Sequence, residues 1–211
     1  MTAATPGLDG SKCLLVAFTI TMPRLFVAID LPATVRQQLA DLKLDLPGAR
    51  WVRAEQMHLT LRFIGEVADD FAQEVKASLQ AIKSASFNVR LQGVGYFPPR
   101  RAPRVLWVGL AEDQAEIQRL KQLYERVEQQ LVSIGVEPEK RAFSPHITLA
   151  RLNNSPAAQT GEFVRQNSGF ATESLHVTHF HLYASTLHPQ GARYERLASY
   201  ALEETDSGSG S

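Results

Sequence analysis

The sequence predicts an α+β protein of two facing lobes, and three observations predict it. Apolar runs succeed one another in the same order twice: strand, helix, strand, weaker helix, strand. The middle strand of each half carries the same pattern, His-x-Thr-aliphatic, as His58-Leu59-Thr60-Leu61 and again as His146-Ile147-Thr148-Leu149. The length of 211 residues, with 44% hydrophobic and 21% charged residues, suits one soluble globular domain.

Residues 24–31 (RLFVAIDL) form a β-rich run ended by Pro32, which reads as a buried strand. Over 33–44, Val35, Leu39 and Leu42 recur at helical spacing, and the helix stops before Pro47-Gly48. Residues 51–65 carry the first His-x-Thr pattern on a strand. Residues 68–83 form a second helix with Phe71, Val75, Leu79 and Ile82 on one face. Asp69 and Asp70 suit the positive end of its dipole. Residues 87–97 alternate as a strand, and Gly93 and Gly95 suggest a bend or bulge.

A proline- and arginine-rich loop, 98–104, separates the halves, and the order repeats. Residues 105–110 (VLWVGL) are a strand. Residues 113–134 are a long helix with Ile117, Leu120, Tyr124, Val127 and Leu131 inward, a capping-box-like start at Asp113 and Glu116, and Gly135 as its stop. Residues 143–152 carry the second His-x-Thr strand. The stretch 155–168 is weakly helical or loop, 175–184 is a strand, and 193–202 closes the sheet.

Lys+Arg and Asp+Glu both number 22, so the net charge is zero. That argues against holding long nucleic acid by bulk charge, but leaves room for a local basic groove. The single Cys13 excludes a disulfide framework and a cysteine-rich zinc site, and fits a reducing cytoplasm. No apolar run approaches the roughly 20 residues a membrane span needs. Residues 1–21 are expected to be a disordered or non-native extension, because a sharp strand signal begins after Met22 and no small-x-small cleavage site precedes it. Residues 22–203 are expected to form one domain of two pseudo-repeated lobes, and 204–211 a disordered tail of linker composition.

Strand alternation points His58 and Thr60 to one face and Leu59 and Leu61 to the other. Residues i and i+2 lie roughly 6.5–7 Å apart, so both can touch one phosphate-sized group. Histidine titrates near 6.5, close to working pH. One neutral imidazole can take a proton from a nucleophile while a protonated one gives a proton to a leaving oxygen, and threonine hydroxyls can hold the oxygens that carry charge. Neither a carboxylate cluster nor a phosphate-binding glycine loop stands beside either pattern. A single His-x-Thr triplet would mean little. Two copies at matching places in a repeated half mean a site.

The chain resembles the 2H phosphoesterase superfamily, specifically the RNA 2′,3′-cyclic phosphodiesterases, also named 2′-5′ RNA ligases. The resemblance rests on RLFVAIDLP (24–32), HLTLRFIGEV (58–67), PRVLWVGL (103–110), FSPHITLARL (143–152), LYASTL (182–187) and GARYERL (191–197). It implies a bilobal fold with two antiparallel sheets lining a central groove and helices outside. It implies hydrolysis of an RNA 2′,3′-cyclic phosphate end to a 2′-phosphomonoester, without metal or other cofactor. It makes His58 the proton donor and His146 the proton acceptor, with Thr60, Thr148 and Arg151 binding the phosphate. Strict alternation would turn Arg151 away from His146, so its role needs a bulge or a strand end; Arg62 would share the face of His58 as a solvated rim residue.

Other residues carry two readings each. Trp51 and Phe143 could stack on a base or pack in the core. Arg100, Arg101 and Arg104 could steer an RNA end or line a solvated loop. His176, His179 and His181 invite a metal, but alternation splits them and no carboxylate completes a set. The competing functions are a phosphodiesterase for small cyclic nucleotides and a non-catalytic RNA-end-binding protein. RNA joining through the same site is chemically allowed, though hydrolysis should dominate in water. No obligate protein partner is evident.

Overall fold

The computed structural model describes residues 22–188 and 191–204. The expected N-terminal extension and, beyond Glu204, the expected tail lie outside the described residues. In chain order the elements are β1 (Arg24–Asp30), α1 (Ala33–Asp41), β2 (Ala49–Trp51), β3 (His58–Glu66), α2 (Asp69–Gln80), β4 (Phe87–Val89), β5 (Leu91–Phe97), β6 (Val105–Leu110), α3 (Gln114–Ser133), β7 (Ile147–Leu152), α4 (Ala157–Gln166), β8 (Leu175–Val177), β9 (His179–His188) and β10 (Gly191–Ala201).

Local chemistry explains most boundaries. Pro32, which has no N–H to give a ladder, separates β1 from α1. Helix α3 starts where the Asp113 carboxylate accepts hydrogen bonds from the backbone of Ala115 (3.1 Å) and Glu116 (3.3 Å). Glu116 does not complete a capping box; it accepts instead from the backbone of Asn88 on β4. Gly135, at φ +95°, ends the helix, and Val136 N–H returns to the Leu131 carbonyl at 3.0 Å. Inward-facing Leu120, Leu123, Val127 and Leu131 are buried, whereas Ile117 and Tyr124 are only half-buried. The weak helical signal after 155 is a true helix, α4, whose buried face is just Thr160 and Phe163.

The strands run in the order β10-β9-β1-β3-β7-β6-β5, with β2 also paired to β7 and every neighbour antiparallel. The sequence halves are therefore not the spatial lobes. Strands β9 and β10, from the second half, pair beside β1, and β5, from the first half, pairs beside β6. The two lobes meet at one registered pair, Leu59 opposite Ile147. Beyond it β2 takes over the edge of β7, with Trp51 opposite Ala150. Leu59 and Ile147 each follow a motif histidine, so a local two-fold axis passes between them. The short β4–β8 ribbon joins equivalent segments of the two halves in the same way.

Both motif strands contain the same irregularity. Ala28 faces Thr60 but Val27 faces Arg62, so the ladder passes over Leu61. Trp107 faces Thr148 but Leu106 faces Ala150, so it passes over Leu149. Each is a bulge three residues after the histidine, and each reverses the alternation beyond it. Further register shifts lie at Ile64 in β3 and near Gly93, at φ +72°, in β5, where a bulge was expected.

Candidate active site

The four motif side chains share one face of the joined sheets. Leu59 and Ile147 are buried in the core beneath, so their neighbours His58, Thr60, His146 and Thr148 point to the opposite side, where all four are half-buried. Extending the Leu59–Ile147 pairing by one residue each way sets His58 opposite Thr148 and Thr60 opposite His146. Antiparallel partners lie roughly 4.5–5.5 Å apart and i, i+2 neighbours roughly 7 Å. The four corners frame a space of phosphate size.

Both imidazoles are tied back identically. His58 Nδ1 lies 2.7 Å from the Gln56 carbonyl, and His146 Nδ1 lies 2.7 Å from the Ser144 carbonyl. A carbonyl can only accept, so Nδ1 carries the hydrogen in each ring. The Nε2 atoms are left as the exchangeable positions, each able to hold a lone pair or a proton. Two residues before each histidine a carbonyl thus fixes the tautomer. The sequence pattern gives no sign of this, because any residue supplies a carbonyl.

The surroundings differ. Phe26 stacks on His58 at 4.9 Å and Tyr194 meets it edge-on at 5.5 Å. Burial among these groups lowers the His58 pKa from its ordinary value, while the Gln56 carbonyl and the Asp30 carboxylate oppose that shift. His146 meets the edge of Phe97 at 5.1 Å, and Phe97 packs on Trp107 at 5.2 Å. Gly95 makes room for this arrangement: a Cβ there would come within 2.3 Å of the Trp107 ring.

The bulges settle the two arginines. Arg151 pairs opposite Val105 beyond the Leu149 bulge, which returns it to the face of Thr148 and Trp107. It is exposed there, and its charge reaches the Tyr194 phenol across the groove. Arg62, expected on the rim beside His58, is turned to the core face and is only 7% exposed. It bonds Glu128 on α3 and the carbonyls of Phe63 and Glu137. Phe63, 54% exposed, stands at the position equivalent to Arg151.

The expected base-stacking pair is not brought to the site. Trp51 lies opposite the core-facing Ala150 and meets Phe163 of α4 edge-on at 5.6 Å. Phe143 stacks on Tyr124 of α3 at 4.2 Å, nearly parallel. Core packing uses both rings. The aromatic groups that do flank the histidines, Phe26, Tyr194, Phe97 and Trp107, lie in strands far from the motifs in sequence. Arg100, Arg101 and Arg104 are exposed in the loop joining β5 to β6, next to the strand end that bears Arg151. His176 is bonded to Asn88, His179 to Thr178 and His181 to Ser199. Among the described residues no three His, Cys, Asp or Glu side chains converge as a metal site would require. No helix among them is long and apolar enough to cross a membrane.

Known proteins resemble this chain in sequence and in fold. The sequence model of the family described as LigT like Phosphoesterase matches residues 29–107 and again 111–194, one match for each half. An RNA 2′,3′-cyclic phosphodiesterase of Aeropyrum pernix is 38% identical over 160 residues, 74% of this chain and 87% of that protein. One of Thermotoga maritima is 34% identical over 186 residues, 85% of this chain and 96% of that protein. The crystal structure of Escherichia coli LigT complexed with 3′-AMP superposes with a TM-score of 0.68 at 31% identity, over 86% of this chain and 98% of that one. Two histidine strands joined at one rung, repeated matches to both halves and relatives of nearly full length lead to one conclusion: the chain belongs to the LigT-like phosphoesterase family.

Proposed function

We propose that the protein hydrolyses RNA ends bearing a 2′,3′-cyclic phosphate to 2′-phosphomonoesters. The observation that carries this reading is the pair of imidazoles beside a single rung, each with Nδ1 tied to a carbonyl and Nε2 left for exchange. His146 Nε2 takes a proton from water as the water oxygen bonds phosphorus. The bond from phosphorus to the ribose 3′ oxygen breaks, and His58 Nε2–H gives that oxygen its proton. The product carries a 2′-phosphate and a 3′-hydroxyl. Each proton transfer is worth about 10²–10⁴ in rate. The hydroxyls of Thr60 and Thr148 donate to the non-bridging oxygens, and the Arg151 guanidinium offsets their charge. The exposed arginines of the β5–β6 loop favour a polynucleotide over a free nucleotide by attracting the phosphates that precede the end.

The test is incubation with an oligoribonucleotide ending in a 2′,3′-cyclic phosphate, followed by location of the phosphate in the product. A 2′-phosphate is expected, formed equally well in excess chelator. A 3′-phosphate overturns the role assignment, and RNA bound but returned unchanged overturns catalysis. Faster turnover of a cyclic mononucleotide than of the oligonucleotide overturns the RNA-end reading and leaves the chemistry.

A further inference from the structure

The motif residues and their backbone ties obey a local two-fold axis, but the reaction does not, because one imidazole must begin protonated and the other neutral. Something outside the motifs has to break the symmetry. The ladder shows where. Opposite His58 on β1 stands Asp30. Ala28 and Trp107 face the two motif threonines, so the equivalent of Asp30 on β6 is Gly109, which has no side chain.

Asp30 is not a loose surface carboxylate. Its Oδ1 accepts from the Tyr183 hydroxyl at 2.6 Å, and its Oδ2 accepts from Arg196. His181 Nε2 lies 3.8 Å away, with its own Nδ1 2.9 Å from the Ser199 hydroxyl. Burial and the bond to Asp30 push the Tyr183 hydroxyl up to about 12, so it stays protonated as a donor. Burial likewise lowers the His181 pKa, so that ring adds little positive charge at neutral pH. Three groups from β9 and β10 thus fix one carboxylate on the neighbouring strand of the catalytic imidazole, and the His146 lobe has nothing comparable at Gly109.

We propose that Asp30 is a positioning residue for the acid half of the reaction, holding the proton on His58 and so deciding which histidine donates. The proposal rests on the cyclic phosphodiesterase reading above. A fixed anion on the adjacent strand favours the imidazolium by simple attraction and offsets part of the desolvation that lowers the His58 pKa. The Gln56 carbonyl favours the imidazolium more than Asp30 does, but the Ser144 carbonyl ties His146 in the same way, so it cannot tell the two rings apart. Phe26 on its own lobe and Tyr194 on β10 are uncharged near neutral pH, and across the rung stand Thr148 and His146. The charges farther out, Arg151 and Arg196, are positive and act against protonation.

The experiment is the pH dependence of kcat/KM for Asp30→Asn, with Asp30→Glu as the charge-preserving control. On the alkaline side, where the acid must keep its proton, Asn should lower kcat/KM about threefold to tenfold. On the acid side, governed by His146, it should change nothing, and Glu should recover most of the loss. Arg196→Met, which unmasks the Asp30 charge, should move the alkaline limb the opposite way and serves if the Asn variant does not fold. Titration of the histidine ring protons by NMR, without substrate, should show the His58 midpoint fall in Asp30→Asn while that of His146 stays. A uniform loss at all pH values, an unmoved alkaline limb, or an unmoved His58 midpoint overturns the role of Asp30. Failure of the wild-type protein to hydrolyse a cyclic phosphate overturns the functional reading instead, and the NMR titration still judges Asp30.

Discussion

The His58 lobe and the His146 lobe are two versions of one construction. What they share is geometry: a carbonyl two residues before the histidine, a threonine two residues after it, and a bulge one residue further on. What they do not share is charge and shape around that frame. Asp30 answers to Gly109, Phe63 to Arg151, Arg62 to Ala150, and Ala28 to Trp107. Backbone-determined features survive duplication of a fold because many side chains satisfy them. Features that give a symmetric frame a direction must differ between the copies.

The comparison can be broken hardest at the histidines. His58→Ala and His146→Ala should each lower kcat at least about a hundredfold with the far-UV spectrum unchanged; near-normal turnover by either variant would end the pairing of roles. The arginines come next, because two residues of one type near matching places should behave oppositely. Arg62→Ala should lower the unfolding free energy by about 3–5 kcal/mol in urea titrations, since it strands Glu128 and two carbonyls on the buried face. Arg151→Ala should leave the urea midpoint in place and lower kcat/KM about tenfold to a hundredfold, the scale of a charge-assisted bond. Equal effects from the two would contradict the bulges that separate them. The smallest effect concerns pH. Burial lowers the proton affinity of folded His58 and His181, so the unfolded chain binds more protons once pH falls below about 6.5. The urea midpoint should hold above that value and decline from there downward; a midpoint that rises on acidification would show the imidazoles gaining, not losing, proton affinity on folding.

Much of this was legible in the sequence because it is local. The unbroken apolar run of β1, the helical spacing of α2 and α3, the Asp113 cap and the paired His-x-Thr strands are written within a few residues of each other. Arg62 shows what was not. Its burial follows from a bulge at Leu61, visible only in the ladder with β1. The exchange of outer strands, the placement of Trp51 against α4 and the facing of Asp30 and His58 are likewise products of long-range pairing, which a linear reading cannot register. Helix α4 was faint for a simpler reason: ten residues with two buried side chains leave little periodicity to read.

The lone rung between Leu59 and Ile147 has a mechanical consequence. Ordinary neighbouring strands are stitched along their length, and their separation is dictated by the stitching. Here the seam is one stitch wide, so the aperture between the imidazoles is set from below, by the hydrophobic layer that Leu59, Ile147 and the inward side of α3 build together. The spacing of the imidazoles is thus a property of the molecule's oil rather than of its ladder, and a methylene trimmed from that layer can change it without touching a polar atom.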